Sequence, residues 1–438
     1  MSIFAELSMR PAIERPTTPR TGGWDASRAA RLALSAGTLF VLLVGANLAT
    51  PLYPMLSERL GFGSLGVSVA FASYVLCLIA VLVVAGHWSD HIGRRAALVV
   101  AVVLGLAGVA VCATAGSLAE LCCGRALHGA AVGLATGASS AAVRELLPDR
   151  PAWASRATLL ATSGGVALGP VAGGSLALGP ASLAVPFAAY AAVLAVLLCP
   201  LVLVRARPAL RPAVEVSRAR LLAPRGLAFG AQSARGPFWR AAGVGFLSFA
   251  VFGYFLSLAP GYFARTLGLT SLPAVGALAG LALAAAAAVQ LAGRATAARR
   301  HAPGESPIVV VGLVLLGVGT LAAGLGTSAG NAVVLVGGIL AAGAGQGLAF
   351  RELFDGLVAA VSPEQHAQAV SALYVVTYLG SAVPVIGVGA LAAAVGLATA
   401  STIFTGLCCA AALGLAVLRT RGLAVLRVRA GQDARAEN

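Results

Sequence analysis

The chain has 438 residues, 59% hydrophobic and only 10% charged. A soluble fold of this length needs a much larger polar surface, and apolar stretches of about 20 residues, enough to cross a bilayer core, recur throughout; the sequence reads as an all-α, polytopic membrane protein embedded in the lipid bilayer. The net charge of +15 comes from 30 arginines, with no lysine at all. A basic balance points to nucleic acid only when it forms a face on a soluble fold. Here the arginines fall between apolar runs, as the positive-inside rule describes, and nucleic-acid binding is excluded.

Residues 1–30, rich in Pro, Thr and Arg, predict a disordered cytoplasmic tail. No signal peptide is evident, because the first apolar run is long and lacks a cleavage site. That run, Leu32–Leu56, is the first predicted span. Proline cannot donate to the carbonyl four residues back, so Pro51 is expected to free the Asn47 carbonyl and Pro54 that of Thr50. Exposed backbone at such a break is tolerated only where it faces protein or water. Ser64–Ala85 is the second span. The others are Ala96–Ala115, Leu118–Leu146, Ala157–Leu178, Leu183–Val204, Ala241–Ala264, Leu272–Ala292, Ile308–Gly326, Asn331–Leu353, Ala367–Leu391 and Gly396–Leu418. Residues 31–204 thus predict an N-terminal six-helix bundle, 205–240 a cytoplasmic linker, 241–419 a C-terminal six-helix bundle, and 420–438 a polar cytoplasmic tail.

With both termini in the cytoplasm, only Arg59 and Arg265 lie outside and Arg125 lies within the membrane; the other 27 arginines face the cytoplasm. Moving the topology by one span destroys that asymmetry. The seven cysteines all fall inside apolar runs without metal-ligand spacing, and are expected to be small buried apolar residues.

An internal repeat runs through the chain. At an offset near 207 residues, Gly86 falls on Gly293 and Arg144-Glu145-Leu146 on Arg351-Glu352-Leu353; Pro51-Leu52-Tyr53 matches Pro260-Gly261-Tyr262, and Pro170 matches Pro384. Common order and near-constant offset predict two halves related by duplication. Asp90 has no acidic counterpart, since position 297 is Ala297.

Between the second and third spans lies Gly86-His-Trp-Ser-Asp90-His-Ile-Gly93-Arg94-Arg95, a charged, turn-forming loop suited to a tight cytoplasmic crossing. Its G-x-x-x-D-x-x-G-R-R spacing resembles the signature loop of the major facilitator superfamily of transporters, with His91 where that family usually has Arg or Lys. The resemblance implies a twelve-helix fold of two pseudo-repeated six-helix bundles. It also implies a cytoplasmic gate in which Asp90 forms a charge-assisted pair with Arg144, beside Glu145, that breaks and re-forms as the halves rock.

Two further spans extend the resemblance. The fifth carries Gly165-Val-Ala-Leu-Gly169-Pro170-Val-Ala-Gly173-Gly174, whose glycines at steps of four line one helix face and permit close approach. This G-x-x-x-G-P-x-x-G-G pattern resembles the fifth-helix motif of the antiporter (exporter) branches. The fourth carries Arg125-Ala-Leu-His128-Gly129, resembling the family's R-x-x-x-G motif. Arg125 lies inside an apolar run, where ionised groups are costly and mark function. His128 is one turn on, and histidine titrates near neutral pH. With Glu120 at the outer end of that span, these are the coupling candidates.

None of the fifteen acids falls at a membrane midplane, so proton coupling follows from the resemblance alone. For a substrate path, Phe246, Phe249, Phe252 and Phe255 recur at steps of three on the seventh span, Gln346 sits deep in the tenth, Tyr374 and Tyr378 share a face of the eleventh, and Asn47 is the first span's polar side chain. Together they suit an amphipathic organic molecule with few charges. The leading expectation is a monomeric secondary transporter of a bacterial inner membrane, multi-pass and not an enzyme. It would export a small organic, drug-like molecule in exchange for protons, with no metal or cofactor and the proton gradient as its energy source. The alternatives are a facilitator or importer on the same fold and, behind them, a receptor or membrane-embedded enzyme.

Overall fold

A computed structural model describes residues 23–178, 183–205, 234–296, 306–362 and 365–436; most of the expected N-terminal tail and of the linker lie outside the described residues. Among these residues there is no strand, only an isolated bridge between Trp24 and Val204. Twelve helical segments are long and apolar enough to cross a membrane, and they fall on the twelve predicted spans in order. Side chains such as Val333, Val196 and Leu407 stand 65–83% exposed on them, the apolar exterior that a lipid solvent requires. Cys123 and Cys199 share that exterior, correcting the expectation that every cysteine is buried; Cys112, Cys408 and Cys409 are buried, and all seven are free thiols.

The helices are α1 (Arg28–Leu48), α2 (Tyr53–Leu60), α3 (Ser64–Ala85), α4 (Trp88–Ile92), α5 (Arg94–Thr114), α6 (Leu118–Leu146), α7 (Pro151–Leu176) and α8 (Ala184–Leu203). After the linker come α9 (Arg235–Leu256), α10 (Ala259–Thr266), α11 (Leu272–Thr296), α12 (Ile308–Ser328), α13 (Ala332–Ala360), α14 (His366–Val395) and α15 (Leu397–Ala436). The first span is broken into α1, a 3-10 turn at Thr50–Leu52 and α2, where Pro51 and Pro54 sit. The seventh breaks likewise between α9 and α10, next to Pro260. The closing helix continues through the segment read as a polar tail.

Contacts group the chain into two compact units. The first comprises the described parts of Met1–Gly226 with Leu256–Gly261 and Leu269–Gly280; the second comprises those of Leu227–Phe255, Tyr262–Gly268 and Leu281–Asn438. Glycine decides how closely the helices pack within each. Between α12 and α13 of the second unit, a methyl group added at Gly312 would lie 2.8 Å from the Gly345 carbonyl oxygen, and one at Gly319 would lie 2.8 Å from that of Gly338. The facing glycines are seven residues apart on both strands of the hairpin, so backbone meets backbone along one seam.

The duplication is visible in matching contacts inside the two units. In the first, Gly129 and Gly133 of α6 abut the Tyr74 and Leu78 carbonyls of α3; in the second, Gly343 and Gly347 of α13 abut the Ala282 and Ala286 carbonyls of α11. The glycines lie 214 residues apart in the chain and the carbonyls 208 apart. Likewise Gly165 meets the Phe40 carbonyl in the first unit and Gly380 that of Phe246 in the second.

Candidate functional site

Arg125 is 1% exposed and is the largest fully buried side chain described. An ionised group at such depth needs partners, and the broken first span supplies them. Because α1 ends at Leu48, its last four carbonyls have no partner within the helix. Arg125 Nη1 donates to one of these, the Ala46 carbonyl. The negative end of the α1 dipole favours a cation there, and the guanidinium carbon also lies 4.8 Å from the centre of the Tyr74 ring, with Tyr53 alongside. The proline-freed carbonyls meet different fates: Asn47 O accepts from the Ala49 N–H and Thr50 O from that of Tyr53. The Asn47 amide turns back onto the Leu43 carbonyl at 3.1 Å.

His128 is also buried, with its ring 5.8 Å from that of Tyr190. Among the described residues, both His128 ring nitrogens, the Tyr190 hydroxyl and Arg125 Nε lack a hydrogen-bond partner. Tyr190 lies so close over Gly45 of α1 that a methyl group there would overlap its ring. The grouping of Tyr53, Tyr74 and Tyr190 about Arg125 and His128 was not read in the sequence, because they come from three separate segments. Glu120 departs from expectation. It is exposed at the start of α6, where its carboxylate accepts from the Gly116 N–H at 2.8 Å while its own N–H donates to Ser117 Oγ at 3.3 Å. It is part of a helix cap, for which Ser117-Leu-Ala-Glu120 was the available signal.

In the loop, Gly93 adopts φ +93°, a conformation that favours glycine, and turns the chain from α4 into α5. Asp90 pairs with Arg94, four residues on across the Gly93 turn, rather than with Arg144. Arg94 also holds Glu145 at 2.8 Å and Ser89 Oγ at 2.7 Å, so it bridges the loop to the end of α6. Arg144 is exposed and forms none of the described ion pairs. Arg95 caps the end of α8 through the Leu201 carbonyl at 3.0 Å and that of Val202, and Arg28 caps α6 at the Leu146 carbonyl. Gly86 lends its carbonyl to a close approach by Gly137 of α6. The Arg94 side chain is 24% exposed and that of Glu145 50%. A double-mutant cycle on them is therefore expected to return under about 1 kcal/mol of stability, measured by thermal unfolding; a larger value would show a bridge shielded from solvent.

The α7 glycines sit on α1 in register. Added methyl groups at Gly165 and Gly169 would lie 2.7 Å and 2.6 Å from the Phe40 and Val44 carbonyl oxygens, and one at Gly173 would overlap that of Leu48. Both rows advance by four residues, so two helix ridges are matched, with Cβ of Leu43 and of Asn47 beside the carbonyls they meet. The neighbouring face serves the Leu272–Gly280 stretch of the same unit: Gly174 abuts the Leu272 carbonyl, and Gly276 and Gly280 abut those of Pro170 and Ala167.

The second unit holds aromatic rings. Phe249 lies 5.3 Å from Tyr378, which lies 6.1 Å from Tyr374. Phe252 and Phe255 of the same stripe are buried, at 8% and 1% exposure, as packing residues. Gln346 is buried and accepts from Gln290 Nε2 at 3.4 Å.

The sequence profile described as Major Facilitator Superfamily matches residues 35–383. The chain belongs to that superfamily. An uncharacterized transporter of this type from Mycobacterium tuberculosis is 31% identical over 165 residues, which is 37% of this chain and 24% of that protein. The multidrug-resistance-type protein MdtD of Escherichia coli is 29% identical over 148 residues, 33% of this chain and 31% of its own. The chain thus spans about a quarter to a third of the length of the curated relatives it matches. Among solved structures, the nucleoside transporter NupG superposes with TM-score 0.70 at 14% identity, covering 89% of this chain and 99% of its own. A bacterial homologue of the human lysosomal transporter Spinster gives 0.68 at 16% identity, covering 90% and 96%. The human organic anion transporter MFSD10 gives 0.60 at 23%, covering 89% and 100%. Membership of the superfamily and the twelve apolar helices mark the chain as a multi-pass membrane protein with the fold of these transporters.

Proposed function

We propose that this transporter exports a small organic molecule across a bacterial inner membrane in exchange for protons, by alternating access between two six-helix halves, residues 31–204 and 241–419. Both termini lie in the cytoplasm on this reading, which the arginine distribution supports. The observation that carries the export reading is the register of Gly165, Gly169 and Gly173 on the α1 carbonyls. The motif resembling the antiporter branches is seated as a close helix-to-helix contact, and tight packing is what an exchanger needs to keep protons from leaking. The multidrug-resistance name of one relative supports a drug-like substrate. Arg125 and His128 are the coupling groups, with Arg125 tying proton movement to the break in the first span. Asp90, Arg94 and Glu145 form the cytoplasmic latch, and Phe249, Gln346, Tyr374 and Tyr378 of the second unit face the substrate.

Inverted vesicles with an acidic lumen and a pH-sensitive dye test this. A substrate is expected to release the proton gradient in a protein-dependent way, and Asp90→Asn and Arg125→Ala are expected to abolish that release at unchanged expression. A facilitator is the second reading, favoured because the described acids lie near helix ends rather than mid-span. Equilibration of labelled compound without movement of protons would establish it and overturn the exchanger.

A further inference from the structure

Three helices of the second unit bring together five aromatic side chains. Phe249 comes from α9, Phe350 and Phe354 from α13, and Tyr374 and Tyr378 from α14. Their contacts close on themselves. Phe249 lies 6.1 Å from Phe350, Phe350 lies 6.1 Å from Phe354, and Phe354 lies 6.4 Å from Tyr374. Tyr374 lies 6.1 Å from Tyr378, and Tyr378 returns to Phe249 at 5.3 Å. The two pairs four residues apart, Phe350 with Phe354 and Tyr374 with Tyr378, stack along their own helices, and Phe249 bridges their far ends. Phe350 is buried at 9% exposure, whereas the other four keep accessible surface.

We propose that these five residues form the rim of a binding site for a substituted ammonium group, so that the transported molecule is an organic cation. Neighbouring centroids in this circuit are 5.3–6.4 Å apart, so a cation seated against two adjacent rings lies within the roughly 6 Å over which each ring attracts it. Such a rim attracts positive charge through ring quadrupoles and excludes the strongly hydrated small cations, so it selects soft, carbon-clad ammonium groups. The surrounding charge permits this. Arg351, beside Phe350, is turned toward Asp355 at 3.6 Å and toward the Gln290 carbonyl at 3.5 Å, and the same turn of α13 carries Glu352 as a second acid. Attraction without a carboxylate in the rim also suits a ligand that must leave again, since no desolvated ion pair has to be broken. The proposal rests on the transporter reading only in calling the ligand the transported molecule; binding is tested without transport.

Equilibrium dialysis of the purified full chain in detergent, corrected for micelles alone, would compare benzyltrimethylammonium with neopentylbenzene, its uncharged isostere. The cation is expected to bind saturably and at least about tenfold more tightly than the isostere. Phe354→Leu and Tyr378→Leu are each expected to weaken it about fivefold or more, with Tyr378→Phe restoring it. Equal binding of the isostere would overturn the proposal without any variant having to fold. So would leucine variants that bind the cation as well as wild type, or a Tyr378→Phe variant as weak as Tyr378→Leu. Cation binding in micelles with no proton release in vesicles would overturn exchange and leave the site standing. Proton release by uncharged compounds without cation binding would overturn the site alone.

Discussion

Alanine at Gly169 is expected to abolish transport and destabilise the protein by about 1–3 kcal/mol, the usual range for overpacking a tight contact. Alanine at Gly164 is expected to leave both properties near wild type. Each adds one methyl group to the same helix, α7. At Gly169 that group would lie 2.6 Å from the Val44 carbonyl oxygen and 2.8 Å from Asn47 Cβ, so a backbone must move. At Gly164 it would lie 3.3 Å from the edge of the Phe40 ring, which can turn aside. Thermal unfolding followed by size-exclusion recovery reads stability, and the vesicle assay reads transport. Wild-type behaviour of Gly169→Ala in both would show that α1 and α7 need not approach this closely during the cycle. If Gly164→Ala were equally damaging, the loss would belong to helix propensity rather than to the contact.

The second large effect concerns Arg125. Arg125→Leu is expected to lose transport and about 1–3 kcal/mol of stability, since it leaves the buried Ala46 carbonyl without its donor. Arg125→Lys retains a charge but not the planar fork that reaches Ala46 while lying over Tyr74. It is expected to fold near normally and to transport at least about tenfold more slowly, the rate equivalent of one such contact. Full activity of the lysine variant would mean that charge alone matters at this position. Full activity of the leucine variant would remove Arg125 from the mechanism.

Why these two positions are informative follows from how the sequence encodes them. Glycines at steps of four were readable in the chain because they lie on one helix, but the carbonyl row they meet was not. Phe40, Val44 and Leu48 present backbone rather than a recognisable side chain. Arg125 stood out because charge is rare in an apolar run, whereas its partners come from α1, α2 and α3, about 50 to 80 residues upstream. Only assembly of the helices brings them together. The Asp90–Arg94 pair shows the opposite failure. Its spacing of four across the Gly93 turn was available, but family resemblance drew the expected partner to Arg144. Phe350 and Phe354 escaped notice for a related reason: each aromatic pair is ordinary by itself, and the circuit exists only across three helices. The twelve spans and the broken first one were legible outright, because length, hydropathy and proline act locally.

The absence of lysine has a consequence for how the helix ends are held. Arg28 and Arg95 fasten the ends of α6 and α8, and Arg125 fastens the end of α1. A guanidinium is a planar fork whose N–H directions are fixed, whereas an ammonium is a point charge on a flexible stem. Made of lysine, these fastenings would hold their carbonyls by charge alone. Made of arginine, each holds by direction as well, so the helix ends are set in angle and not only in distance.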